Sequence, residues 1–366
     1  MDEELMQGEH PKVSVIIPVY NPGPGIRRCI SSLRNQTLRE IELIFIDDLS
    51  TDGAMDEVLS AAGQDSRIRI IRNPVNLGPG PTRNIGIESS RGTYLAFVDP
   101  DDFIEPDFLS LLYEKAETEG LDIVKGSCMF CRETKNGEMI REPRNALTNQ
   151  IREGIQEGKQ LFCLFTFQHW TALYRRELVV ASARYGTSRV AQDVTFQLQV
   201  TSVAKTFGIE ERANYCYVYR QESVSRHIDR VYLQENLKAF HEQCMFLKNM
   251  WPLQPAADQY AIIKTEVMLT IHRYAATIMP EAAESFLNDL RREILDLPFA
   301  WEMIRKAFYV RTLVLKGLNL TDKLFNPEVK DGFEKNWFFV YEAWVQYALS
   351  APGVYTNFCR KRLKTV

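Results

Sequence analysis

Residues 13–48 read VSVIIPVYNPGPGIRRCISSLRNQTLREIELIFIDD. VSVIIPV is apolar and β-branched, GIRRCISSLRNQ carries apolar residues at helical spacing, and IELIFID is a second apolar run of strand length. Strand, Gly/Pro turn, helix and strand in succession describe a βαβ unit, whose strands run parallel. The same order repeats downstream. AMDEVLSAAG (54–63) predicts a helix, RIRIIRN (67–73) a strand, TRNIGIESS (82–90) a short helix and TYLAFVD (93–99) a fourth strand. Strands alternating with helices predict a buried, mostly parallel sheet wrapped by helices.

In such sheets ligands collect outside the carboxyl ends of the strands. Polar residues fall at those ends: Tyr20 and Asn21, Asp47 and Asp48, Asn73 and Asn76, Asp99 and Asp101. The densest group lies in YLAFVDPDDFIEPD, Tyr94 to Asp107. Carboxylates so close raise each other's proton affinity, so they imply a cation or a hydrogen-bonding ligand. Asp99 and Asp101, two residues apart, offer hard oxygens to Mg²⁺ or Mn²⁺, with water and diphosphate oxygens filling the remaining positions. Asp107 instead suits the start of the helix that follows. Asp48 either belongs to a turn that caps a helix or accepts hydrogen bonds from a base or ribose. Arg83 stands in the first turn of its expected helix, where a cation opposes the dipole; a diphosphate would be the anion it answers.

The 366-residue chain exceeds one typical domain. Its net charge of -4 gives no general attraction for nucleic acid, and any binding must be local. The acidic MDEELMQGEH start lacks the apolar core of a signal peptide, and no apolar run reaches the roughly 20 residues of a membrane span. A cytoplasmic protein is expected. Seven cysteines, an odd number, fit a reducing compartment better than a disulfide framework. Cys128 and Cys131, with His241 and Cys244, could supply four zinc ligands, but their apolar settings favour buried thiols.

Beyond residue 127, CMFCRETKNGEMIREP reads as a hairpin turning at Asn136-Gly137, WTALYRREL as a strand entering a helix, DVTFQLQVTSVA as a helix and NYCYVYR as a strand. After Asp229 only helices are expected. Leu233, Leu237, Phe240, Cys244, Leu247 and Trp251 form one apolar helical stripe. The end, rich in aromatics, finishes with Arg360, Lys361, Arg362 and Lys364. It either packs and ends in a solvated tail or sits on an anionic membrane surface, which would suit a lipid-linked acceptor.

VSVIIPVYN, QTLREIELIFIDDLSTDG, NLGPGPTRNIGIESSRGTYLAFVDPDD and PDFL together resemble the nucleotide-binding half of family 2 glycosyltransferases, inverting enzymes of GT-A fold. The resemblance covers Lys12 to Ser127 and continues more weakly to His227. It implies a GT-A domain over residues 11–229, split at 127 into nucleotide and acceptor halves, with a helical region over 230–366. It further implies that Pro18, Tyr20, Asn21 and Asp48 line the nucleoside pocket, and that Asn76, Gly78 and Arg83 approach the ribose and phosphates. Asp99 and Asp101 become the DxD motif that holds Mg²⁺ or Mn²⁺, with His227 able to complete the metal shell. Asp193, in a segment similar to the family's acceptor-side motif, becomes the candidate general base; Gln192 replaces the usual Glu beside it. Arg220 would clamp phosphate or pair with Glu222, and His169 with Trp170 would form a sugar-stacking wall or ordinary core. Pro79 and Pro81 depart from the family pattern and are expected to stiffen the loop before a helix.

The expected activity is transfer of a sugar from a nucleoside diphosphate, with UDP the family's usual carrier, to a glycan or glycolipid hydroxyl in surface polysaccharide assembly. The alternatives are a binding module that has lost transfer, and a nucleotidyltransferase, against which the absence of a Gly-rich, Lys-containing loop after the first strand counts.

Overall fold

The computed structural model describes residues 10–134, 138–143, 168–219, 229–250 and 278–295, with positions 268, 271, 272 and 275. The chain divides into two compact units, Met1–Val224 and Ser225–Val366. In the first, the expected alternation holds: β1 (Val13–Val19), α1 (Gly25–Arg34), β2 (Ile41–Asp47), α2 (Ala54–Ala62), β3 (Ile68–Arg72), α3 (Pro79–Ser89) and β4 (Tyr94–Phe97). Then come β5 (Phe103–Ile104), α4 (Phe108–Glu119), β6 (Ile123–Glu133), β7 (Met139–Pro143), β8 (Ala172–Arg175), α5 (Arg176–Ser182), α6 (Gln192–Val203) and β9 (Phe207–Val218).

All these strands join one sheet in the order β3-β2-β1-β4-β8-β6-β9-β5, with β7 paired to β6. Strands β1 to β4 pair in parallel. Beyond them β8 runs antiparallel to both β4 and β6, while β6 and β9 are parallel. The expected hairpin is the antiparallel β6–β7 pair, closed by the Thr134 N–H donating to the Glu138 carbonyl at 2.8 Å; its turn, 135–137, lies outside the described residues.

Every residue of β1 and β2 is buried, because helices cover both faces of the sheet. Val13, Val15, Ile17 and Val19 pack with residues of α1, α2 and α4, whereas Ile16, Ile44 and Ile46 pack with Ile87 of α3, Val179 of α5 and Phe196 of α6. The strand period of two thus feeds two cores, and each fully buried aliphatic side chain contributes about 1.5–3 kcal/mol.

Helix α3 begins three residues before the expected Thr82. Gly78 (φ 86°) precedes it and Pro79 takes the first helical position, where a missing N–H costs nothing and a fixed φ suits the helix. The prolines therefore lie within the first turn rather than in a loop, and Arg83 moves into the second turn. Gly80 is required by packing: a Cβ there would lie 2.1 Å from the Gly186 carbonyl oxygen, so α3 starts in direct contact with the segment that leads into α6.

In the second unit, α7 (Arg230–Met250) and α8 (Pro280–Leu295) are helical as expected. Leu233, Phe240, Cys244 and Leu247 are buried along α7 and Leu237 is half-buried; Trp251 and the basic, aromatic C-terminal end lie outside the described residues. His241 Nδ1 pairs with Glu293 Oε2 of α8 at 2.8 Å, and Cys128, Cys131 and Cys244 are buried thiols. No helix among the described residues is long and apolar enough to cross a membrane.

Candidate active site

The rim residues of β1 to β4 converge as the parallel order requires. Tyr20, just past β1, is 55% exposed and offers its ring to solvent at the rim. Pro18 is buried within β1 opposite Ile46, so it shapes the rim through the residues that follow it. Asn21 adopts φ 47°, and its Oδ1 accepts a hydrogen bond from the Thr51 N–H at 2.7 Å. Asp48 is buried and organises the neighbouring loop: its carboxylate accepts from Asn73 Nδ2 at 2.8 Å, the Leu77 N–H at 2.8 Å and the Gly78 N–H at 2.9 Å. Asn76 Nδ2 donates in turn to the Asp48 carbonyl. Three donors already occupy Asp48, which therefore acts as the clamp that sets the Asn76–Gly78 loop at the mouth of the site.

The charged centre lies at the end of β4. Arg83 is buried, and its Nη2 donates to Asp99 Oδ1 at 2.6 Å. Burial is the largest influence and opposes its charge, but Asp99, Tyr185 and Asp193 together outweigh it and raise the guanidinium above its ordinary value. The anion that Arg83 answers in this structure is thus Asp99. Its guanidinium carbon also sits 5.3 Å from the centre of the Tyr185 ring, which stacks on Phe196 at 4.3 Å.

Asp193 enters the same centre from α6. Ala191, at φ 55°, precedes the helix, and Asp193 stands in its first turn. Its Oδ2 lies 3.6 Å from Nδ1 of His169. His169 is 2% exposed and packs against Phe97 and Tyr185, with ring centres at 5.8 and 5.4 Å. Such burial excludes a sugar-stacking role for its ring. Burial pushes the imidazole below its usual range, with Asp193 pulling the other way and Arg83 adding to the depression. Trp170, half-buried, packs its ring on Tyr215 at 4.3 Å and Tyr217 at 5.7 Å, which places it at the margin of the core. Gln192 is buried, its Cγ 3.1 Å from where a Cβ on Gly80 would be.

Sequence reasoning passed over Asp102 and Tyr185. Asp102 is buried, accepting from the Val218 N–H at 2.7 Å and the Tyr215 hydroxyl at 2.9 Å, while the Asp99 N–H donates to that same hydroxyl at 3.0 Å. Burial, then the charges of Asp101 and Asp99, push its carboxyl well above the usual range. It ties the acidic loop to β9. Tyr185 is fixed by Asn84, whose Oδ1 accepts from its N–H at 2.8 Å and whose Nδ2 donates to its carbonyl at 3.1 Å. A Tyr beside a Gly in a loop carries no periodic signal, and Asp102 was hidden by the acids around it.

Arg220 and His227 lie outside the described residues. Among the described residues no group of three or more His, Cys, Asp or Glu is arranged to hold a metal. Asp99 and Asp101 are nevertheless both half-exposed at the rim, and Asp99 has one oxygen engaged by Arg83 and the other without a partner among the described residues. Two hard oxygens that leave most of a coordination shell to water and phosphate fit a divalent cation such as Mg²⁺ or Mn²⁺.

A mixed sheet flanked by helices, with its charged groups at the carboxyl ends of parallel strands, is the architecture of GT-A glycosyltransferases. Among solved structures, S. aureus TarS 1-349 in complex with UDP-GlcNAc matches at TM-score 0.59 and 16% identity, over 93% of this chain and 92% of that one. Mannosyltransferase PcManGT from Pyrobaculum calidifontis, in complex with GDP-Man and Mn²⁺, matches at 0.51 and 14%, over 94% and 87%. The sequence comparison is narrower. The model of glycosyl transferase family 2 matches residues 14–180. Bacillus subtilis (strain 168) glycosyltransferase EpsJ is 29% identical over 307 residues, 81% of this chain and 86% of EpsJ. EpsH of the same strain is 30% identical over 246 residues, 66% and 70%. The chain belongs to glycosyl transferase family 2.

Proposed function

We propose that the protein transfers a sugar, with inversion, from a nucleoside diphosphate sugar, UDP being the favoured carrier, to a hydroxyl of a glycan or lipid-linked glycan. The setting is cell-surface polysaccharide assembly at the cytoplasmic face of the membrane. The observation that carries this reading is the gathering of two acids, Asp193 from α6 and Asp99 from the end of β4, around the buried Arg83, which pairs with Asp99 at 2.6 Å and feels the charge of both. Inversion needs two sides. On one, the bond from the anomeric carbon to the diphosphate breaks. On the other, an acceptor oxygen attacks and gives up its proton.

Asp193 takes that proton as the new bond forms. Asp99 and Asp101 would hold Mg²⁺ or Mn²⁺, which when bound neutralises charge on the departing nucleoside diphosphate. Tyr20 supplies an exposed ring for the base, and the loop clamped by Asp48 borders the ribose and phosphates. The UDP-GlcNAc held by TarS and the GDP-Man and Mn²⁺ held by PcManGT support a nucleotide-sugar donor and a divalent cation.

Asp193→Asn is expected to lower transfer about 10²- to 10⁴-fold, the range of general-base contributions, while UDP affinity by calorimetry stays within about twofold. Transfer at the wild-type rate would remove Asp193 as the base. UDP binding by the wild-type chain without turnover of any UDP-, GDP- or dTDP-sugar would point to a binding module.

A further inference from the structure

Beside Asp193 stands a side chain that the sugar-transfer reading does not use, His169. His169 Nδ1 approaches Asp193 Oδ2 at 3.6 Å, longer than the 2.7–3.2 Å of a formed N–H···O bond, so a shift of about 0.5–1 Å would close it. Catalytic hydrogen bonds are often long without substrate and tighten when it binds. The imidazole itself has little freedom. Its ring is wedged between Phe97 and Tyr185, and its backbone carbonyl accepts from the Tyr174 hydroxyl at 2.9 Å.

Among the described residues, the charged and titratable groups near the ring include Asp193 of α6, Arg83 of α3, Asp99 past β4, Tyr174 of β8 and Tyr185 from the loop before α6. Burial and the nearby guanidinium disfavour a second positive charge. A neutral imidazole carries one N–H, and the acceptor it faces decides which nitrogen holds it. Here the acceptor beside Nδ1 is a carboxylate. The Tyr185 hydroxyl, buried and without a hydrogen-bond partner among the described residues, is a second polar group that this centre leaves for use.

We infer that His169, in its neutral Nδ1–H form, is a positioning residue that orients the Asp193 carboxylate for taking the acceptor's proton. A neutral donor aims the carboxylate without removing its negative charge, whereas an imidazolium would weaken it as a base. The inference rests on Asp193 being the base.

Two measurements test it. In the first, His169→Leu and His169→Asn are compared in hydrolysis of UDP-N-acetylglucosamine and UDP-glucose, with melting temperature measured alongside. His169→Leu is expected to lower kcat roughly 10- to 100-fold, as misplacement of a reacting group does, with KM for the donor and UDP affinity unchanged. His169→Asn, which keeps an N–H near the Nδ1 position, is expected to recover most of that loss, and in an Asp193→Asn background neither change should have further effect. Equal losses in both variants, or a rise in KM alone, would show a packing role and overturn the inference. If Asp193→Asn is itself as active as wild type, the base assignment fails; if it is inactive while His169→Leu is fully active, only the His169 role fails. The second measurement needs no variant: ¹⁵N NMR of the imidazole in the wild-type chain is expected to show a protonated Nδ1 and a bare Nε2 at pH 7.5, and the opposite tautomer would overturn the inference.

Discussion

At the scale of single residues, His169 makes stability depend on pH. Its folded-state pKa is depressed, by burial first and by Arg83 in addition, against the opposing pull of Asp193. The unfolded chain, with an imidazole near pKa 6.5, binds a proton before the folded chain does, so stability is full above about pH 6.5 and falls as pH drops below it. The melting temperature is expected to decline from pH 7.5 to pH 5.5, and His169→Asn to flatten that part of the curve in a thermal-denaturation series. An unchanged slope in the variant would assign the decline to other groups. His169 was visible in the sequence only as half of a His-Trp pair, and its burial depends on Phe97 and Tyr185, which come from opposite sides of it in the chain. Asp193, by contrast, announced itself as an acid opening an apolar helix, and Asp99 and Asp101 as acids ending a strand.

At the scale of elements, the amino edge of the sheet is held by one buried carboxylate. Glu42 of β2 accepts from Ser14 of β1 at 2.6 Å, from Arg69 of β3 at 2.6 Å and from the Arg91 N–H, just before β4, at 2.6 Å. Burial raises its pKa, but these donors together outweigh burial and leave it below the ordinary value. A depressed carboxylate contributes stability above its unfolded pKa of about 4.3, and that contribution is lost as pH falls through the lower folded value. Glu42→Gln is expected to cost about 3 kcal/mol at pH 7, as breaking a buried pair does, and clearly less at pH 3; urea titrations at the two pH values measure the difference. The strands themselves were legible, because short runs dominated by β-branched and other apolar residues, as in VSVIIPV and IELIFID, have few other readings. The start of α3 was not: Pro79 and Pro81 look like loop formers until Gly78 is seen to turn the chain into the first helical position.

At the scale of the whole molecule, the unit Met1–Val224 contains both sheet-flanking cores and all the described residues assigned to the site. A chain ending at Val224 is expected to unfold cooperatively and to bind UDP with a Kd within about threefold of the full chain, a change below 1 kcal/mol. Calorimetry on both chains decides it; a loss of tenfold or more would show that Ser225–Val366 contributes to the nucleotide site. The mixed half of the sheet was the least legible part of this unit. Antiparallel β8 and the long β9 take their places from pairing across the chain, which no local period records.

The bonds from Asp102 to Val218 and Tyr215 bear on how this enzyme can be recombined with its relatives. A chimera joined at residue 127 would hang the acidic loop from a foreign strand, and the loop's position would change even with every residue before the seam kept. A seam placed after Val218 carries the loop and its anchor together. Exchange of parts with a relative is therefore expected to succeed along a line that follows the sheet rather than at a cut after residue 127.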